Sequence, residues 1–91
     1  MLRFDWDEAK AALNLVKHGV SFEEAATVFG DPLALTLDDP DHSADERRLL
    51  TFGISNRRRV LLVVNLERGR MLRIISARKA TKHERSIYEK G

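Results

Sequence analysis

Two stretches of this chain, Arg48-Leu49-Leu50-Thr51-Phe52-Gly53-Ile54 and Arg59-Val60-Leu61-Leu62-Val63-Val64-Asn65-Leu66, flank the polar break Ser55-Asn56-Arg57-Arg58. Large apolar and β-branched residues on either side of a short turn predict an antiparallel hairpin. The second stretch is apolar almost throughout, which marks it as the central strand of a sheet. Toward the carboxyl end, Glu67-Arg68-Gly69-Arg70 reads as a second tight turn leading into Met71-Leu72-Arg73-Ile74-Ile75-Ser76-Ala77. Thr81-Lys82-His83-Glu84 is then a capping box, Thr at N-cap and Glu at N3, which starts a short helix running through Glu89.

Toward the amino end, Asp38-Asp39-Pro40-Asp41-His42-Ser43-Ala44-Asp45 is a turn-rich acidic loop, preceded by Leu33-Ala34-Leu35-Thr36-Leu37 as a candidate strand. Ser21-Phe22-Glu23-Glu24 is another capping box, and it predicts a helix over roughly 22–29 that Gly30-Asp31-Pro32 ends. Its core side carries Ala25, Val28 and Phe29. A first helix runs from Glu8 to His18, capped by Asp5 or Asp7 and closed by Gly19, and its stripe of Ala9, Ala12, Leu13 and Val16 predicts the buried face. The expected fold is α+β: two N-terminal helices, an antiparallel sheet of three or four strands and a short C-terminal helix, in one domain over residues 1–91.

Composition narrows the function. The chain has no cysteine and three scattered histidines, which excludes disulfides and thiolate chemistry and leaves little for a zinc cage; no metal and no cofactor is expected. Its longest strictly apolar run, Val60 to Val64, is far short of the roughly 18 residues of a membrane span, and its acidic amino end is unlike a signal peptide, so the expectation is a cytoplasmic protein with no membrane contact. The formal net charge of +2 conceals a division: residues 1–50 hold 5 basic and 11 acidic side chains, a net of −6, and residues 51–91 hold 11 and 3, a net of +8. Such asymmetry points to a basic surface for a polyanion.

Phe4-Asp5-Trp6-Asp7 with Lys10, Asn14 and Lys17-His18-Gly19-Val20-Ser21-Phe22-Glu23, then Glu46-Arg47 and Gly53, then Arg73-Ile74-Ile75-Ser76-Ala77-Arg78-Lys79-Ala80 with Glu84 and Tyr88, closely resemble the BrnT toxin family. The match runs in order over nearly the whole chain. The resemblance implies a RelE-like fold and a ribonuclease toxin of a type II toxin–antitoxin pair that stops translation. It also implies a BrnA-like antitoxin partner, through which operator DNA would be reached only indirectly.

Metal-free RNA cleavage uses the substrate's 2′-hydroxyl against the adjacent phosphorus, so the protein must orient the attack, move a proton and stabilise added negative charge. Arginine suits the last task, because its planar fork holds two phosphate oxygens at once. Arg78 and Arg73 are the first candidates for phosphate or transition-state contact. Five residues apart on a regular strand they point to opposite faces, so they can serve one site only if the strand ends or bulges near Ser76. His83, in the first turn of the last helix, and Tyr88 are the candidates to move protons.

Arg47, the run Arg57-Arg58-Arg59 and Lys79 are assigned to RNA binding, the run because adjacent cations in a turn can follow a phosphate backbone. Ordinary readings stand beside these: Arg47 in a surface salt bridge, Arg57-Arg58-Arg59 as a solvated turn, His18 as a helix C-cap, Trp6 as a half-buried anchor. Two other functions compete with cleavage by this route. One is a noncatalytic nucleic-acid-binding or regulatory partner of a DNA-binding protein. The other is a metal-dependent nuclease built on Asp38, Asp39, Asp41, His42 and Asp45, whose spacing matches no known ligand set.

Overall fold

The computed structural model describes residues 2–41 and 47–91. Strand β1 (Arg3–Asp5) leads into helices α1 (Glu8–His18) and α2 (Phe22–Thr27), and a single 3-10 turn over Val28–Gly30 prolongs α2. Strands β2 (Leu35–Asp38), β3 (Arg48–Ile54), β4 (Val60–Arg68) and β5 (Met71–Lys79) follow, and α3 (Lys82–Lys90) closes the chain. The sheet order is β1-β5-β4-β3-β2, with β1 parallel to β5 and every other pair antiparallel. β4 is central, as its apolar run predicts. The expectation of three or four antiparallel strands needs correction: among the described residues there are five, and the sheet is mixed. β1 is only three residues long, too short to show an alternating pattern, and Arg3 to Asp5 align with Met71 to Arg73 only after the whole chain has returned. Among the described residues, no helix is long and apolar enough to cross a membrane.

Both helices and the 3-10 turn lie on one face of the sheet. Val20, Phe22, Ala25 and Val28 pack there against Leu61, Val63, Ile74 and Ala77, all essentially solvent-free. Trp6 meets Phe22 edge-on at 6.0 Å between ring centroids, and Phe4 meets Phe29 at 5.5 Å. Gly53 lies beneath the 3-10 turn, where a Cβ would come within 2.7 Å of Val28 Cγ1, so a side chain there would have to displace the core.

The apolar stripe expected to bury α1 faces the opposite way. Ala9, Ala12, Leu13 and Val16 are exposed, and the inward row is Ala11, Asn14 and His18. Hydrogen bonding decides this. Asn14 Oδ1 accepts the Ala77 N–H at 3.1 Å, while Nδ2 donates to Ala77 O at 2.8 Å and Val20 O at 2.9 Å. The side-chain amide thereby takes the place of a neighbouring strand along β5 beyond the end of β1, and a buried peptide left without such partners would cost about 1–3 kcal/mol.

Capping follows the sequence at both ends of the chain. Asp7 accepts the Lys10 N–H at the start of α1, and Gly19 takes the left-handed conformation at its end, φ 69°. Thr81 and Glu84 form the reciprocal capping box of α3. Ser21 caps α2 as expected, but the Glu24 carboxylate is drawn away to a stronger partner.

Candidate active site

The face of the sheet opposite α1 and α2 carries the arginines. On β4 and β5 the register pairs Val63 with Ala77, Val64 with Ser76, and then Asn65 with Ile74, leaving Ile75 as an extra residue. That bulge changes the parity of β5. Arg78 stands opposite Leu62 and Arg73 opposite Leu66, and because Leu62 and Leu66 are four apart on one strand, the two arginines share a face. Their Cα atoms are about 14 Å apart along the strands, taking ~3.4 Å per residue of β4.

Arg48 completes the set. It stands opposite Leu66 on β3, so Arg48, Leu66 and Arg73 form one row across three strands. The Nε of Arg48 is buried without a hydrogen-bond partner. The sequence pattern points instead to its neighbour Arg47, whose guanidinium lies 3.7 Å from Glu67 in an exposed ion pair. Lys79 stands opposite Leu61, a residue of the helix-side core. Arg47 and Lys79 therefore belong to the other side of the sheet from Arg48, Arg73 and Arg78.

Carboxylates hold two of the three arginines in place. Arg73 Nη1 donates to Asp5 Oδ2 at 2.7 Å, joining β5 to β1. Arg78 is bidentate, Nη1 to Glu84 Oε1 at 2.7 Å and Nη2 to Glu84 Oε2 at 2.9 Å. Glu84 is also the carboxylate of the α3 capping box, accepting the Thr81 N–H at 2.9 Å. The Arg78 guanidinium, more than burial opposes it, pulls the Glu84 carboxyl down to about 2. The side chains of Arg73 and Arg78 are 31% and 38% exposed, so each keeps an open edge while one edge is pinned.

His83 is exposed in the first turn of α3. Tyr88 is not free: its hydroxyl donates to Asp31 Oδ2, which also accepts the Ile54 N–H at 2.8 Å. That bond to Asp31, with burial, pushes the phenol up to about 12. Burial works against the Asp31 carboxylate, but the bonds from Tyr88, Ile54 and Leu33 outweigh it and hold it below its ordinary range. Tyr88 thus clasps the end of α3 to the corner between the 3-10 turn and β2.

The arginine run in the β3–β4 turn divides three ways. Arg59 Nε donates to Glu24 Oε2 at 2.9 Å, and its Nη2 to Gly19 O at 3.1 Å and to Glu24 Oε1. Arg57 approaches the same carboxylate at 3.8 Å. Arg58 is exposed at φ 62°, a left-handed conformation that ordinary side chains avoid. Arg58→Gly should therefore raise stability by about 0.5 kcal/mol, the relief of strain exceeding the entropy cost of the added glycine. A higher denaturant midpoint with unchanged slope is the check. If Arg58 follows an RNA backbone, the same variant binds RNA more weakly.

Among the described residues there is no group of three or more His, Cys, Asp or Glu that could hold a metal ion. Of the acidic-loop candidates, His42 and Asp45 lie outside the described residues. Arg48, Asp5 and Glu84 join this candidate site without being singled out for it by the sequence. The strand alternation places Arg48 with Leu50 and Phe52, but only knowledge of which face the helices cover separates it from Arg47.

A family model described as the ribonuclease toxin BrnT of type II toxin–antitoxin systems matches residues 6–84. Among solved structures, the 1.1 Å crystal structure of the Brucella abortus ribonuclease toxin BrnT is similar, with a TM-score of 0.68 and 27% sequence identity over 90% of this chain and 100% of that one. No curated protein sequence matches the chain.

Proposed function

The chain belongs to the BrnT family of ribonuclease toxins from type II toxin–antitoxin systems, and we propose that it cleaves RNA without a metal ion on the arginine face of its sheet, stopping translation until a BrnA-like antitoxin neutralises it. The observation that carries this reading is the β5 bulge, which gathers Arg73 and Arg78 onto the face that also bears Arg48. The RNA 2′-oxygen attacks the adjacent phosphorus, the bond from phosphorus to the 5′-oxygen breaks, and a 2′,3′-cyclic phosphate and a 5′-hydroxyl result. A base takes the 2′ proton, and the leaving oxygen gains one. Arg73 and Arg78 hold the phosphoryl oxygens as the negative charge grows, with the open edge of each guanidinium turned to the substrate.

His83 is the proposed proton carrier. It sits one residue before Glu84, the carboxylate that fixes Arg78. Glu84 itself, pulled down to about 2, is too weak a base at neutral pH and serves to orient Arg78. Tyr88 keeps its proton and holds α3, and with it Glu84, in position. Arg58 extends the phosphate-binding surface, while Arg57 is drawn toward Glu24 of α2 on the other side. Arg59 serves the fold, and Arg47 and Lys79 lie on the other face of the sheet from Arg48, Arg73 and Arg78.

One observation favours a competing reading, a phosphate-binding module without cleavage: the ion pairs of Arg73 and Arg78 already satisfy part of each cation. Purified protein incubated with RNA in excess chelator separates the two. Cleavage should persist and leave cyclic-phosphate ends. RNA that is bound but stays intact would support the competing reading, and activity that vanishes in chelator and returns with a divalent ion would support a metal-dependent nuclease.

A further inference from the structure

Helix α1 leaves an unusual amount of apolar surface uncovered. Val16 is 87% exposed and Leu13 69%, yet both sit on a stripe of core spacing. They do not stand alone. Leu13 and Val16, with Lys10, Lys17, His18 and Asn14, form one wall of a groove of about 410 Å³ whose other wall is Ile75 and Ser76 of β5. Ile75 is the extra residue of the bulge. The charged and titratable residues that line it are all basic: Lys10 and Lys17 along the helix and His18 at its end.

We propose that this groove is the anchoring site of the antitoxin, and that its occupant is an amphipathic segment with aliphatic side chains toward Leu13, Val16 and Ile75 and acidic residues toward Lys10, Lys17 and His18. The proposal rests on the toxin reading above. Charge complementarity selects the occupant. An RNA strand would satisfy the lysines but bury no part of Leu13 or Val16. A second copy of this chain, packed about a twofold axis, would set Lys10 and Lys17 against the same lysines of its partner, a like-charge contact that costs affinity. An acidic amphipathic segment satisfies both features. The groove runs along the edge of β5 and reaches Ser76, whose partner Val64 shares the parity of Leu62 and Leu66, but Arg48, Arg73 and Arg78 do not line it, so anchoring and cleavage use different side chains.

The test uses the full chain and the purified full-length product of the adjoining reading frame as the probe. Val16→Glu and Leu13→Glu should each weaken binding by about 100-fold or more, as expected for an anchor at the centre of an interface. Lys10→Glu with Lys17→Glu should weaken it by about tenfold, and the loss should shrink at high salt. Leu33→Glu, at a leucine 75% exposed elsewhere on the molecule, should leave binding unchanged. All of these variants should cleave RNA as the wild type does, which shows them folded. If the wild type binds the probe and Val16→Glu and Leu13→Glu bind it equally well, the groove is not the anchor, and the toxin reading stands. If the wild type does not bind the probe at all, both readings fall. A wild-type dimer in sedimentation that Val16→Glu dissociates would overturn the proposal in favour of self-association.

Discussion

Replacing Arg78 with alanine should slow RNA cleavage by about 10²–10³-fold, the loss typical when one preorganised donor to a developing oxyanion is removed, and should abolish growth arrest on expression. The fold should survive. Glu84 loses its bidentate partner but keeps the Thr81 N–H, so the capping box remains. With its side chain 38% exposed, Arg78 forms an ion pair screened by solvent, and its loss should cost no more than about 1 kcal/mol. Arg78→Lys separates charge from geometry: a lysine keeps the cation but cannot form the fork, so it should recover only part of the rate. A pH titration gives an independent readout. In the wild type the Glu84 carboxyl, at about 2, stabilises the fold above its unfolded value of 4.5, and that stability is lost as pH falls toward 2. In Arg78→Ala much of that acid-limb loss should vanish. An alanine variant that cleaves RNA at the normal rate would remove Arg78 from the site, and one that fails to fold would assign it to structure instead.

The largest loss of stability should come from Glu24, a residue with no part in cleavage. Its carboxylate is 4% exposed and accepts hydrogen bonds from Arg59 and, at 2.7 Å, from Ser55 Oγ, tying α2 to the β3–β4 turn. Glu24→Gln leaves Arg59, 24% exposed, without its counter-ion. Breaking such a pair from one side costs about 3 kcal/mol, which in a domain of this size lowers Tm by roughly 10–20 °C. The Arg59 bond, opposed by burial, holds the Glu24 carboxyl below 4.5. Its contribution is therefore complete above about pH 4.5 and lost as pH falls through the depressed value. The glutamine variant should show a flatter stability profile on the acid side, and a calorimetric pH series on both proteins measures the difference.

Much of this fold is legible in the chain because local signals and tertiary structure agree. The apolar run at Val60 to Val64 is the middle of the sheet, and Thr81 and Glu84 cap the last helix as their spacing requires. The failures share one cause: contacts distant in sequence overrule local pattern. Three residues at Arg3–Asp5 become a strand only because β5 offers them an edge. The stripe through Leu13 and Val16 faces outward because Asn14, a polar residue, has three buried backbone partners waiting at Val20 and Ala77. Alternation along β3 and β5 narrows the site to Arg47 or Arg48 and to Arg78 or Lys79. It cannot decide between them, since parity is relative and only the packing of the helices fixes which face is covered. That the strand must end or bulge near Ser76 follows from spacing alone, whereas the choice of a bulge rests on the pairing with β4.

The choice of face decides which cations meet the RNA, and substitutions at neighbouring residues separate the two faces. The rate of RNA cleavage in chelator should be measured for Arg78→Ala beside Lys79→Ala, and for Arg48→Ala beside Arg47→Ala. In each pair the charge removed and the position in the chain are nearly the same, and only the face of the sheet differs. Losses of about 10²-fold or more are expected for Arg78→Ala and Arg48→Ala, with Lys79→Ala and Arg47→Ala close to the wild-type rate. Equal losses within each pair, or larger losses for Lys79→Ala and Arg47→Ala, would contradict that choice of face.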